Sequence, residues 1–351
     1  MKSKYRNIFL AFGLAAVVVM LLTMNVSYDE LLANLRNAGG YLPLILLLWL
    51  VVYAINTLSW YVIVRSGGPM NGLSYLKLYK YTVSGFALNY VTPVGLMGGE
   101  PYRIMELKPY VGTERATSSV ILYVMMHIFS HFMFWASAVL FYVCFYKVTV
   151  EMGILMGFIL LFCIFMGTLF AKGYRHGMAV AFIHLGSKIP FLKRPVDRFA
   201  QRNAHHLKNI DEQISLLHRQ KKSTFYSSLL LEYAARIVSS GEVWLILNVI
   251  ATDVSFISCI IILAFSSLMA NLLFFMPMQL GGREGGFALA VDGMRMAGAY
   301  GVFAALLTRV RELVWIVIGL ALMKVGNSKM PESPSDDAEG QEPTMKQEEQ
   351  K

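Results

Sequence analysis

The chain has 351 residues, of which 56% are apolar and 15% charged, and a formal net charge of +9. A water-soluble fold of this length carries far more surface charge, so for much of this chain the solvent is lipid. Composition therefore excludes a purely aqueous globule and points to an all-α polytopic membrane protein.

In chain order, Lys2, Lys4 and Arg6 precede a first apolar run, Ile8–Met24. No small-residue cleavage site follows at Thr23–Tyr28, so a retained first helix is expected rather than a removed signal. Further apolar runs are Leu42–Val64, Ala116–Tyr146, Met152–Ala171, Phe225–Ala251, Phe256–Met276 and Tyr300–Met323. Each is near or above the roughly 20 residues that carry a helix across a bilayer. Cys144, Cys163 and Cys259 all lie in such runs, without metal-like spacing, and read as packing residues.

Charge sets the orientation. The segment Lys172–Lys222 holds eleven Lys and Arg, which places it, like the N-terminus, on the cytoplasmic side. Within it Val196, Phe199, Leu207, Ile210, Ile214 and Leu217 recur at near-helical spacing, predicting an amphipathic helix on the inner face; His205 and His206 read as interfacial. The domain so defined spans residues 1–326, with 172–222 as a basic cytoplasmic segment inside it. Residues 327–351 form an acidic tail of three lysines against seven acids, almost without apolar residues and expected to be disordered.

Two stretches break the hydrophobic pattern. "YVTPVGLMGGEPYRIMEL", residues 90–107, and "FFMPMQLGGREGGFALAV", residues 274–291, each lead from a proline through paired glycines to a glutamate seven residues on, Pro93 to Glu100 and Pro277 to Glu284. A broken helix strands backbone N–H and C=O groups, which survives at membrane depth only where protein or a wet cavity receives them. Following the chain by the positive-inside rule gives about six transmembrane helices and two re-entrant helical hairpins. The first hairpin, Leu73–Val91 with Glu100–Tyr110, opens inward; the second, Phe256–Met276 with Glu284–Ala297, opens outward. The two halves are thus expected to be inverted repeats with both termini cytoplasmic, a layout that builds midplane sites from discontinuous helices.

The candidate substrate-binding residues cluster at these breaks. Gly98, Gly99, Gly281 and Gly282 offer backbone N–H groups at half-helix starts, where an anion is favoured, and Pro101 suits an early helical position. Glu100 and Arg103, then Arg283 and Glu284, bring charge to each break, and arginine suits a phosphate through its fork of donors. Set against this is a purely structural alternative, in which Glu100–Arg103 and Arg283–Glu284 are internal ion pairs holding the hairpins open. Glu232 and Arg236 stand four apart as a helical pair; Glu242 lies further along; Arg309, Arg311 and Glu312 sit deep in the last crossing. His127 and His131 share a helix face, but with no carboxylate nearby on that helix they read as helix–helix hydrogen-bonding groups and not as a metal site. No Walker A, kinase or G-x-S-x-G pattern is present, so neither a catalytic residue nor a cofactor is expected.

The motifs "TPVGLMGGEPYR" and "PMQLGGREGG", with the basic central segment and the arginine-bearing last helix, resemble the lysylphosphatidylglycerol synthase transmembrane region, also called flippase-like proteins, over most of residues 5–325. The resemblance implies a bacterial inner-membrane protein that moves phospholipids between leaflets. Larger members carry a separate aminoacyl-transfer domain, and the short acidic tail here gives no reason to expect that activity. Membrane lipids with anionic phosphate headgroups are the expected partners, a second copy of the chain is a further candidate, and nucleic acid is not expected. Two other readings compete: an integral-membrane enzyme acting on a lipid-linked substrate, with Glu100 or Glu284 as base, and a non-transporting scaffold for a lipid or envelope pathway.

Overall fold

The computed structural model describes residues 36, 39–70, 72–91, 98–176, 187, 193–202, 204, 212, 222–251, 253–272, 282–294 and 296–325. Among them the helices are α1 (Tyr41–Ser66), α2 (Tyr75–Val91), α3 (Gly99–Val111), α4 (Thr113–Phe145), α5 (Val150–His176), α6 (Lys193–Arg202), α7 (Lys222–Ile250), α8 (Phe256–Leu272), α9 (Gly282–Gly293) and α10 (Gly298–Leu322), with no strand among the described residues. The first apolar run Ile8–Met24, residues 92–97 and 273–281 with the Pro93 and Pro277 positions, much of the basic segment and the acidic tail lie outside the described residues. Of the expected basic amphipathic helix, α6 is the longest described portion.

Among the described residues four helices are long and apolar enough to cross a membrane: Tyr41–Ser66, Thr113–Phe145, the Val150–Thr168 portion of α5, and Lys222–Ile250. The chain is a multi-pass membrane protein. Helix α10 has a comparable length of 25 residues but carries Arg309, Arg311 and Glu312 near its centre. Helices α2, α3, α8 and α9, of 17, 13, 17 and 12 residues, are shorter and lie on either side of residues 92–97 and 273–281 in sequence. Local chemistry sets several ends. Gly112, at φ 82°, closes α3 by donating its N–H to the Lys108 carbonyl at 2.9 Å and opens α4 by accepting from Ala116 at 3.1 Å, so one residue with left-handed freedom turns the corner. Arg115 latches the end of α1, donating to the carbonyls of Val64 and Gly68 at 2.7 Å and of Pro69 at 2.8 Å.

The helix contacts pair off. Helix α1 packs on α2 and α4 as α7 packs on α8 and α10; α2–α3–α4 form a contiguous set, as do α8–α9–α10; α2 meets α10 as α8 meets α4; α4 meets α7 as α10 meets α1. The most extensive contact, α1 with α7, is its own counterpart under this exchange. These two helices run antiparallel: Trp49 meets Glu242, while ten residues further along α1 the Ser59 hydroxyl meets that of Ser228 at 2.7 Å. The α2–α10 pair is antiparallel as well, with Lys80 bound to the Val325 carbonyl and Ser84 to that of Gly319 at 2.8 Å. Its counterpart α8–α4 joins Ser258 to Tyr146 at 2.5 Å and Ser267 to Trp135 at 2.8 Å.

The interior is apolar around a polar seam. Trp60 stacks on Tyr123 with ring centroids 5.6 Å apart in one core, while Phe287, Val291, Ala304 and Leu307 fill another beneath α9 and α10. Small residues let the short helices approach closely, as small residues do between membrane helices. A methyl on Gly99 would strike the Gly85 carbonyl and the Asn89 side chain; one on Gly286 would lie 3.0 Å from Ser266 Cα.

Candidate functional site

The start of α3 is finished by a residue of α2. Asn89 Oδ1 accepts the Gly99 N–H at 2.8 Å, and its Nδ2 donates to Glu100 Oε1 at 2.8 Å. An asparagine from a neighbouring helix thus supplies the capping that Gly98, in the N-cap place, cannot make with a side chain. This corrects the expectation for Gly99: its N–H is directed at Asn89 rather than presented to an anion. Gly282 begins α9, as expected of a half-helix start, and Gly281 lies outside the described residues.

Arg103 sits one turn beyond Glu100 and donates to its Oε1 at 3.2 Å and to the Thr82 carbonyl at 3.3 Å. The guanidinium lies over the rings of Phe86 and Tyr123, at 4.7 and 5.4 Å from their centroids, where an aromatic face stabilises a cation cut off from water. Gly85 makes the space, since a methyl there would run into the Arg103 guanidinium.

At the start of α9, Arg283 and Glu284 both reach α10. Arg283 pairs with Glu312; Arg309 donates to Glu284 at 3.0 Å and to Glu312 at 3.1 Å. Arg311 makes a two-pronged bond to Glu242 of α7, at 2.8 and 3.0 Å, stacks at 3.7 Å on the Trp49 ring of α1, and lies 3.9 Å from Glu312. Trp49 in turn donates its indole N–H to Glu242 at 2.9 Å. Residues from α1, α7, α9 and α10 therefore converge on one alternating array of three arginines and three glutamates.

Glu232 and Arg236 are turned toward α4. Glu232 Oε2 lies 2.7 Å from His127 Nδ1, while Arg236 donates to Ser130 Oγ at 2.8 Å and to the His127 carbonyl at 3.0 Å. The expected direct pair between them is therefore replaced by bonds to the neighbouring helix, although the two charges still act on each other. His127 makes the helix–helix hydrogen bond read from its position.

Burial grades across the site. The side chains of Arg103, Arg309 and Arg311 are 1%, 4% and 3% exposed, whereas Glu100 and Glu284 retain 18% and 37%. Taking a charge out of water costs several kcal/mol per ion, repaid only by close, well-directed partners. The arginines meet that condition through glutamates and aromatic faces; Glu100 and Glu284 remain the more open ends. Sequence reasoning passed over Asn89 and Trp49, read Glu242 and Glu312 only as deep intramembrane charges and His127 only as a helix–helix hydrogen-bonding group, and placed none of the five among the substrate-binding residues. The signals for Asn89 and His127 were local: a lone amide next to a helix break, and a histidine deep in an apolar run. Among the described residues no group of three or more His, Cys, Asp and Glu could hold a metal.

The family model described as lysylphosphatidylglycerol synthase TM region matches residues 8–320. No curated protein and no solved structure matches the chain.

Proposed function

This chain belongs to the lysylphosphatidylglycerol synthase transmembrane family, an integral-membrane group tied to lipid metabolism or transport, and on that premise we propose that it is a flippase-like transporter. It binds a phospholipid or lipid-phosphate headgroup along the seam of buried charges and carries it between leaflets. The carrying observation is the concentration of charged side chains from α3, α7, α9 and α10, five arginines with Glu100, Glu232, Glu242, Glu284 and Glu312, in a bundle whose buried residues are mostly apolar. Ionisable groups at that depth are costly, face the bundle interior and mark substrate or ion paths by default.

Arg283 and Arg309 share Glu312, and Arg309 also holds Glu284, so a headgroup phosphate exchanges places with a carboxylate rather than entering an empty site. Exchange keeps each arginine paired throughout, which avoids the cost of an isolated buried charge. The antiparallel α1–α7 contact and the matched contacts about it support two inverted repeats, each with a re-entrant hairpin, whose rocking opens the seam to one leaflet at a time. In this reading the protein is not an enzyme, lies in the bacterial inner membrane, and has both termini in the cytoplasm.

The test is leaflet exchange of fluorescent anionic and zwitterionic phospholipids in proteoliposomes. Wild type exchanges anionic lipid, while Glu284→Gln and Arg283→Ala, checked for folding, lose most of it. Absence of exchange with every lipid refutes the proposal.

A further inference from the structure

We propose that the His127–Glu232 pair is a proton-binding site and that lipid movement is coupled to protons, one entering with each negative headgroup charge. This rests on the transport reading above and names its coupling ion.

Glu232 is fully buried on α7, at 0% exposure, and meets His127 of α4, whose side chain is 25% exposed. The 2.7 Å separation suits a shared hydrogen bond in either charge state. With histidine neutral, Nδ1–H donates to the carboxylate. After one proton is taken up the same bond persists, whether the second proton sits on imidazole Nε2 or on the carboxyl, and the pair titrates as one unit. Beside it are three further polar atoms that are buried without a hydrogen-bond partner: Glu232 Oε1, Tyr123 Oη and His131 Nδ1. Tyr123, His127 and His131 are spaced one turn apart on α4, with ring centroids 6.3 and 5.5 Å apart, so titratable groups run along one helix face.

The elements packed about the pair bring these groups. Helix α3 brings the Arg103–Glu100 pair and the buried Glu106, α7 brings Arg236, and α2 brings Phe86; α1, α5 and α8 bring the uncharged Trp60, Phe162 and Ser267 to this helix. Arg103 and Arg236 stand against Glu100 and Glu232 while His127 is neutral. One added proton raises the charge of this low-dielectric interior by one unit, which an anionic headgroup offsets. Proton and anion thus each favour binding of the other, and the linkage is reciprocal. The step is a simple transfer: hydronium on one side gives a proton to the pair, and the pair returns it to water on the other.

Reciprocity makes the proposal measurable without transport. Short-chain phosphatidylglycerol is added to purified protein in weak buffer with a pH indicator; phosphatidylcholine and inorganic phosphate serve as controls. About one proton per chain is taken up with phosphatidylglycerol, none with phosphatidylcholine, and none in Glu232→Gln or His127→Asn. Absence of uptake by the wild type overturns the proposal, and so does full uptake in both variants. Uptake with inorganic phosphate and not with lipid overturns the lipid assignment. In proteoliposomes, a pH gradient drives anionic-lipid exchange by wild type and not by Glu232→Gln. Proton uptake without any lipid exchange retains the proton site and removes the transport reading instead.

Discussion

Removing one partner of the Glu242–Arg311 bridge should be far more damaging than removing both. Each side chain is 3% exposed, and the pair shares two bonds of 2.8 and 3.0 Å. In Arg311→Met the Glu242 carboxylate retains the Trp49 N–H but loses its counter-charge. In Glu242→Met the Arg311 guanidinium keeps the Trp49 ring and a distant 3.9 Å contact with Glu312. Either change leaves a charge uncompensated in a dry environment, a cost of about 3–5 kcal/mol. The double variant buries two unbranched apolar side chains of similar volume and should fall within about 1–2 kcal/mol of wild type. The assay is reversible unfolding in mixed micelles, with the four proteins forming a cycle whose coupling energy isolates the pair. Additive losses, or single losses below about 1 kcal/mol, would refute the assignment of this bridge as a buried, water-excluded pair.

Three further outcomes are expected. Gly85→Ala should push the Arg103 guanidinium off Glu100 and cost about 1–3 kcal/mol by overpacking; a thermal unfolding curve superimposable on wild type would contradict the close α2–α3 crossing. With Cys144, Cys163 and Cys259 replaced, Ser59→Cys combined with Ser228→Cys should cross-link under mild oxidation, because the two hydroxyls lie 2.7 Å apart at the α1–α7 contact; failure to cross-link would place that crossing elsewhere. Single cysteines at Gly98 and Gly282 should react with impermeant reagents from opposite sides of the membrane, and labelling from one side alone would remove the inverted topology.

Much of the architecture was legible in the residues. Runs such as Leu42–Val64 and Phe225–Ala251 correspond to α1 and α7 within three residues at each end, because lipid imposes a length and an apolar composition that are both local properties. The helix starts at Gly99 and Gly282 were equally visible, since glycine pairs followed by a carboxylate mark a helix N-terminus. The concentration of charge in Tyr300–Met323 likewise singled out α10 as an interior helix.

Partnership was decided only by tertiary structure. Glu232 and Arg236 have the spacing of a helical pair, yet their helix turns both toward α4, where His127 and Ser130 offer closer bonds. Glu312 is bound by Arg283 and by Arg309, the former nearly thirty residues away in sequence. Asn89 caps α3 from another helix because α2 and α3 cross at Gly85 and Gly99, a closeness that no single-helix pattern records. Hydropathy and helix breaks are encoded residue by residue. Which buried charge neutralises which depends on how helices cross, because in a medium without water each ion takes the nearest well-directed partner that the packed backbone presents.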